Sequence, residues 1–311
     1  MDFYFDSYSE VSLQRIMVSD RPRTGAFAEA IREVVKSGDK VLDLGTGTGL
    51  LAMLSAKAGA QKVFAVDQAG IAGAAEKLVA ANKLNDRIKV INSNANQLKL
   101  DEPVDLLVSE WLGHFAFAET MLDDVITCRD VNLKPGGTML PSGVEISLAP
   151  IDSEILYDEQ GPGFWSEPVQ SIDFSLLEKV ELDQSIAVKT MVLPDDLLDD
   201  GKPIIALDLA TATKESPWQS GEVEFVMKRD GQLNGFAGWF SAQLSPSVVL
   251  DTGPHNPRTH WEQTYFPMPT VVVEEGQRIK VKYSLTRHPV EPRGLLFDIE
   301  FNDIRHVFTI G

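Results

Sequence analysis

The stretch Val41-Leu42-Asp43-Leu44-Gly45-Thr46-Gly47-Thr48-Gly49 constrains this chain more than any other. It spans the end of a short apolar strand, Lys40–Leu44, and runs into a helix rich in Leu, Ala and Met, Leu50–Ala58. Three glycines at that junction let the backbone turn tightly and approach a ligand closely. A second acid, Asp67, follows the next strand at 62–66, where a carboxylate can accept both hydroxyls of a ribose. The spacing is G-x-G-x-G, not the G-x-G-x-x-G shaped for a pyrophosphate, which counts against a dinucleotide.

The surrounding pattern extends this unit. Residues 72–84 read as an Ala-rich helix, 88–92 as a third strand and 104–109 as a fourth, almost wholly apolar as buried parallel strands are. Residues 119–128 read as a helix, and 133–141 carry a Pro135-Gly136-Gly137 turn. Upstream, 11–18 and 23–35 read as two helices. The alternation predicts an α/β, Rossmann-like doubly wound domain over residues 1–141, including its N-terminal helices. After Pro141 the pattern changes. Residues 144–148, 222–228, 235–244, 278–285 and 295–301 read as strands separated by turn signals such as Arg229-Asp230-Gly231 and Glu275-Gly276. An antiparallel, β-barrel-like domain is expected over 142–311, interrupted at 155–189 by either an internal packing segment or a protruding arm.

Composition narrows the function classes. Twenty-eight Lys and Arg against 46 Asp and Glu give a net charge of −18, a surface that repels nucleic-acid phosphate and attracts cationic ligands. No apolar run approaches the ~20 residues that span a bilayer. Residues 1–10 carry Asp2, Asp6 and Glu10 and no basic stretch, so no secretory signal is expected. The single cysteine, Cys128, allows no internal disulfide and reads as a buried small hydrophobe. Cys/His metal spacings are absent, so no metal is expected, and the cytoplasm is the default compartment.

In open α/β sheets ligands sit outside the carboxyl ends of the strands, so the acceptor chemistry is sought after the fourth strand. There the chain reads Ser109-Glu110-Trp111-Leu112-Gly113, with Glu119 nine residues beyond Glu110. Two carboxylates suit a guanidinium, a planar cation whose N–H fork they can grip bidentately. They can also hold positive charge on the other nitrogens, leaving electron density on the attacking one, and align that nitrogen for transfer.

Asp43 with its glycine loop resembles the first motif of S-adenosylmethionine-dependent methyltransferases. A narrower resemblance spans the whole chain. Ser109-Glu110-Trp111-Leu112-Gly113-His114 followed by Ala118-Glu119-Thr120-Met121-Leu122 is similar to the double-glutamate loop of the protein arginine methyltransferases. Tyr4-Phe5-Asp6-Ser7-Tyr8, Asp20 with Arg23-Thr24, Leu133-Lys134-Pro135-Gly136-Gly137 and Thr259-His260-Trp261 resemble further elements of that family in the same order. The resemblance implies S-adenosylmethionine as cofactor, with Arg23 on its carboxylate, Gly45 and Gly47 along its amino-acid portion, Asp67 on its ribose, and Ala95 and Asn96 by its adenine. Phe5, Gln14 and Gln68 complete the implied cofactor set. It implies Glu110 and Glu119 as the guanidinium clamp, Tyr8 and Trp261 as walls of the arginine channel, and His260 paired with Asp20 as a proton relay. Met17 and Met121 match pocket-shaping methionines, although both also read as core filler. The family's arm docks on a partner's cofactor domain, so a homodimer is expected, with Phe164-Trp165 as the apolar anchor.

The sequence departs from the family pattern at several places. Gln14 stands where a histidine is common, Asp67 replaces a glutamate, Asn96 stands where a glutamate often contacts adenine, and His114 and Ala118 replace aromatic residues beside the clamp. No extension before Tyr4 and no appended substrate-recruiting domain are expected from this sequence. The acceptor is therefore arginine in a protein or peptide, or alternatively free L-arginine or another small guanidino compound. A weakly catalytic cofactor-binding subunit is the reading from another class.

Overall fold

The computed structural model describes residues 10–311, so Phe5 and Tyr8 lie outside the described residues. Two helices lead in, α1 (Val11–Ser19) and α2 (Arg21–Val34). Asp20 separates them and caps α2, its Oδ1 accepting the Arg23 N–H at 3.1 Å, with a proline in the first turn. The next elements are β1 (Lys40–Leu44), α3 (Leu50–Ala58), β2 (Lys62–Asp67), α4 (Ala72–Ala81), β3 (Ile88–Asn92) and β4 (Val104–Val108). Then come α5 (Leu122–Asn132) and β5 (Leu133–Leu140).

The five strands pair in parallel in the order β3-β2-β1-β4-β5. The order reverses between β1 and β4, so a crevice opens where these neighbours send their following loops to opposite sides. The glycine loop after β1 and the glutamate loop after β4 both emerge there. Two expectations shift by a few residues. The helix expected from 119 starts at Leu122, because Glu119 and Thr120 take φ of +73° and +52°, which a right-handed helix cannot contain. The Pro135-Gly136-Gly137 turn lies inside β5, where the register against β4 shifts and Gly136 takes φ +73°.

From β6 (Gly143–Ile151) onward the sheet is antiparallel. The chain continues through β7 (Val188–Thr190), β8 (Lys202–Asp208), β9 (Ser220–Val226), β10 (Gly231–Gln243) and β11 (Val249–Asp251). It ends with β12 (Gln263–Val273), β13 (Arg278–Arg287), β14 (Leu295–Phe301) and β15 (Ile304–Ile310). One sheet has the order β7-β12-β10-β6-β8, with β11 beside β10, and the other has β15-β14-β13-β9. Rings from the two sheets meet: Phe236 lies 6.0 Å from Phe301, and Phe266 lies 5.0 Å from both Phe297 and Phe308. Such contacts are where an alternating strand pattern buries its inward residues.

Between β6 and β7 the chain forms α6 (Glu154–Gln160), a 3₁₀ turn at Pro162–Ser166 and α7 (Leu176–Gln184). This segment leaves apolar side chains in solvent, with Leu176 86 % and Ile155 61 % exposed. Trp165 turns inward, its indole N–H donating to Glu181 Oε2 at 2.5 Å, so Phe164 alone of the expected pair is presented outward. Cys128 is buried in α5, and burial pushes its thiol up to about 11, which makes it inert near neutrality.

Candidate active site

The glycine loop is fixed by its own backbone. Gly45, Gly47 and Gly49 take φ of +71°, +53° and +82°, conformations that side chains with a Cβ resist. The amides of Gly45 and Thr46 donate to Val66 O at 2.8 and 3.0 Å, tying the loop to the end of β2. Asp43 is fully buried, and its Oδ2 accepts from Thr46 Oγ1 at 2.6 Å and from the Ala52 amide at 2.8 Å. Burial raises its carboxyl to about 7, more than these two bonds lower it. Asp43 therefore shapes the loop, while Asp67 faces the ligand side. Asp67 Oδ2 accepts from the Gly47 amide at 2.9 Å and Oδ1 from the Ala69 amide at 2.8 Å.

Gly45, Gly47, Asp67 and Gln14 line one end of a cleft of about 250 Å³, the scale of a small-molecule site. A Cβ on Gly47 would come within 2.8 Å of Gln14 Oε1, so the cradle admits only glycine without movement. Three expected cofactor contacts are not in the cleft wall. Gln68 Oε1 is taken by Asn94 Nδ2 at 2.6 Å, and Asn96 Nδ2 turns to Asp124 Oδ1 at 2.5 Å. Ala95 sits with Asn96 in the short 3₁₀ turn after β3, outside the lining.

The other end of the cleft holds the two glutamates. Glu110 leaves the end of β4, where Ser109 Oγ anchors on Leu44 O at 2.8 Å. Its Oε1 accepts the Leu112 amide at 3.0 Å, and its Oε2 accepts Arg23 Nε at 2.9 Å and Arg23 Nη2. Arg23 thus pairs with Glu110 here. Nη1 donates to Met17 O at 3.0 Å, so three of the five N–H donors are used and two remain for an anion. Glu119 comes from the far side of a contorted loop in which Phe115, Ala116, Glu119 and Thr120 all have positive φ. Non-glycine residues cluster in this conformation where surrounding contacts over-determine it. The contacts are visible. Gly113 has no room for a Cβ, which would fall 2.1 Å from Ala118 O. Phe115 packs 5.4 Å from Phe266 and 5.1 Å from Phe297, inside the β domain.

The β domain also supplies the third wall. Asp20 Oδ2 accepts from the His260 amide at 2.8 Å and lies 2.7 Å from His260 Nδ1. Burial raises the Asp20 carboxyl, but the bonds from His260 and from the Arg23 amide outweigh it, and it lies below its ordinary value. A carboxylate only accepts, so Nδ1 carries a proton, and in the neutral tautomer this fixes, Nε2 is the acceptor. Trp261 is buried, with its N–H donating to Leu112 O at 2.7 Å, and its ring lies 5.9 Å from the Arg23 guanidinium. Met17, Met121 and His114 line the cleft as well.

Three contributors are not apparent from the sequence. Lys189, on β7, lines the same cleft as Glu119 and His114. Arg293 holds the glutamate loop from the β13–β14 turn: its carbonyl accepts the Glu119 amide at 2.9 Å, and its Nη1 donates to Glu119 O at 2.9 Å. Thr264 Oγ1 sits 3.1 Å from His114 Nε2. A positive residue in a β segment carries no signal of its own that it will meet a loop 70 or 170 positions away. Among the described residues no group of three or more His, Cys, Asp or Glu is placed to hold a metal ion.

The donor set fits S-adenosylmethionine. The glycine cradle admits close backbone approach, Asp67 presents a carboxylate to hydroxyls, and the free N–H groups of Arg23 suit a carboxylate. Comparisons with known proteins agree. A family model described as the arginine methyltransferase oligomerization subdomain matches residues 145–304, and one for the ribosomal protein L11 methyltransferase matches residues 21–148. Protein arginine N-methyltransferase 6 of Xenopus tropicalis is 36 % identical over 304 residues, covering 94 % of this chain and 88 % of that protein. Protein arginine N-methyltransferase 1 of Schizosaccharomyces pombe is 35 % identical, covering 99 % and 90 %. Among solved structures, the Trypanosoma brucei PRMT1 enzyme–prozyme heterotetrameric complex with AdoHcy superposes with a TM-score of 0.90 at 26 % identity, covering 98 % of this chain and 100 % of that one. Protein arginine methyltransferase 10 of Arabidopsis thaliana gives 0.85 at 30 % identity, covering 99 % and 100 %. With a glycine cradle and a pair of glutamates facing one cleft, and relatives matched along nearly its whole length, this chain belongs to the protein arginine N-methyltransferase family.

Proposed function

We propose that the cleft methylates a guanidinium nitrogen of arginine in a protein or peptide, with Glu110 and Glu119 as its clamp. The observation that carries this reading is that two carboxylates from one loop face the same cleft as the glycine cradle. When bound, S-adenosylmethionine supplies a methyl group on a sulfonium, open to displacement by a nitrogen lone pair. Gly45, Gly47 and Asp67 would hold its amino-acid portion and ribose, and Arg23 its carboxylate. Glu110 and Glu119 draw the guanidinium charge toward the nitrogens they grip and leave electron density on the third. Arg23 fixes the rotamer of Glu110, and Arg293 fixes the backbone of Glu119, so the clamp is set before the acceptor arrives. His260, with its proton held at Nδ1 by Asp20, offers Nε2 to the proton that the methylated nitrogen releases. Met17 and Met121 bound the space for added methyl groups.

The exposed apolar side chains of 155–189 support a homodimer in which this arm docks on a second copy, since such a stretch in solvent marks an interaction surface. The charge of −18 argues against nucleic acid as partner, and no helix of the described residues is long and apolar enough to cross a membrane. A single buried thiol suits the reducing cytoplasm. Incubation with methyl-labelled cofactor and an Arg-Gly-rich peptide tests the activity: label should appear in methylarginine. Cofactor binding with no transfer to any guanidine would overturn the clamp. The same preparation should sediment at twice the chain mass, and a monomer at micromolar concentration would overturn the arm reading.

A further inference from the structure

We propose that Lys189 makes this enzyme prefer acceptors that carry a carboxylate close to the arginine, a selection that rests on the clamp reading above. In the β7–β12 pair Lys189 lies directly opposite Thr264. Directly opposed residues of antiparallel strands point to the same face. Thr264 Oγ1 reaches His114 Nε2 at 3.1 Å on that face, and both His114 and Lys189 line the cleft beside Glu119.

The charges on this wall are unequal. His114 is half-buried, and desolvation of its ring together with the Lys189 ammonium pushes it down to about 4, so its ring is neutral near pH 7. The charge of Arg23 is matched by Glu110. Lys189 is exposed, and its ammonium has no ion-pair partner among the described residues. A free cation in the wall of a site built for a guanidinium repels that guanidinium unless the acceptor brings an anion of its own. The arrangement thus favours an acceptor with positive and negative groups side by side. Two sources supply that chemistry: an Asp or Glu side chain next to a substrate arginine, or the α-carboxylate of free arginine.

Matched peptides test the selection. One carries Glu on both sides of the arginine and the other Gln, and kcat/KM for methyl transfer is measured for each. Free L-arginine against L-arginine amide forms the second arm. The acidic member of at least one pair should be favoured about three- to tenfold, the scale of ion pairs at and just beneath a surface. Most of the difference should lie in KM, and it should shrink in 0.5 M salt. Lys189→Met should bring that ratio to about one, and Lys189→Glu should invert it. Preference in the peptide arm assigns the carboxylate to a neighbouring side chain, and preference in the arginine arm assigns it to the α-carboxylate. Ratios near one in both arms of the wild-type enzyme, or a ratio unchanged in Lys189→Met, would overturn the proposal and leave the clamp standing. Failure of transfer to every guanidine would overturn both.

Discussion

The two ends of the cleft are built in different ways. The cradle at the cofactor end comes from one short stretch, Asp43 to Asp67, with Gln14 and Arg23 set beside it, and its shape resides in backbone: three glycines with positive φ, and amides tied to the end of β2. The acceptor end is assembled across the chain. Glu110 is set by Arg23, 87 positions away, Glu119 by Arg293, 174 positions away, and Asp20 meets His260 across 240 positions. A site made of local backbone tolerates little change, because each glycine is required by its own dihedral angle. A site made of distant side chains can change its acceptor by one substitution and keep its fold. His114 and Lys189 lie in the second kind.

Glu110→Gln should break the comparison most sharply. The amide keeps the shape of the side chain and loses the charge that faces the guanidinium. Turnover should fall about a thousandfold, roughly 4 kcal/mol at the transition state. Affinity for S-adenosylhomocysteine, measured by calorimetry, should stay within about tenfold. An equal loss in both quantities would mean that the two ends are one unit, and undiminished turnover would remove Glu110 from the clamp.

This division also explains what the sequence reveals. The glycine loop, Asp67 and the parallel strands are local patterns, and β1, α3 and β3 lie at the residues expected for them. Glu110 and Glu119 stand out because they follow a buried strand at a sheet's carboxyl edge. The strand β12 is masked by Pro267 and Pro269, which ordinarily argue against a strand and here accompany a register break against β10. The strand β15 follows a tight turn in which Asn302 and Asp303 take φ of +51° and +60°, a turn chemistry that short polar residues support. Lys189 and Arg293 are illegible for another reason. Their roles depend on which strand pairs with which, and register is a property of the folded sheet. Two expected cofactor contacts carry partners that the sequence does not announce: Gln68, just after β2, bonds Asn94, and Asn96, after β3, bonds Asp124.

Asp43 sharpens the contrast through pH. In the folded chain it holds its proton to about pH 7, whereas an unfolded aspartate releases it near 3.8. Between these values the folded state binds one more proton than the unfolded state. Raising the pH through that interval therefore removes stability, on the order of 4 kcal/mol for this group alone. Below pH 3.8 both states are protonated, and above about pH 7 both are ionised, so the contribution is flat outside the window. Urea unfolding of Asp43→Asn should lose this component of the slope between pH 4 and pH 7 relative to wild type. Identical slopes would mean that Asp43 is ionised when buried and that the loop is held by charge.

Gly47→Ala should give the smallest effect and the most specific one. The new methyl would lie 2.8 Å from Gln14 Oε1, at a residue whose φ is +53°. The left-handed conformation costs a residue with a Cβ about 1 kcal/mol, and the flexible end of Gln14 can yield to the contact. Affinity for S-adenosylhomocysteine should fall about tenfold, while turnover at saturating cofactor changes far less, because the clamp lies at the other end of the cleft. Adding Gln14→Ala to Gly47→Ala removes the contact and leaves the dihedral cost. If crowding carries the loss, Gly47→Ala should weaken binding less in the Gln14→Ala background than in the wild type. An equal loss in both backgrounds would place the requirement for glycine in the backbone alone, and no loss in either would show that the cradle does not touch the cofactor.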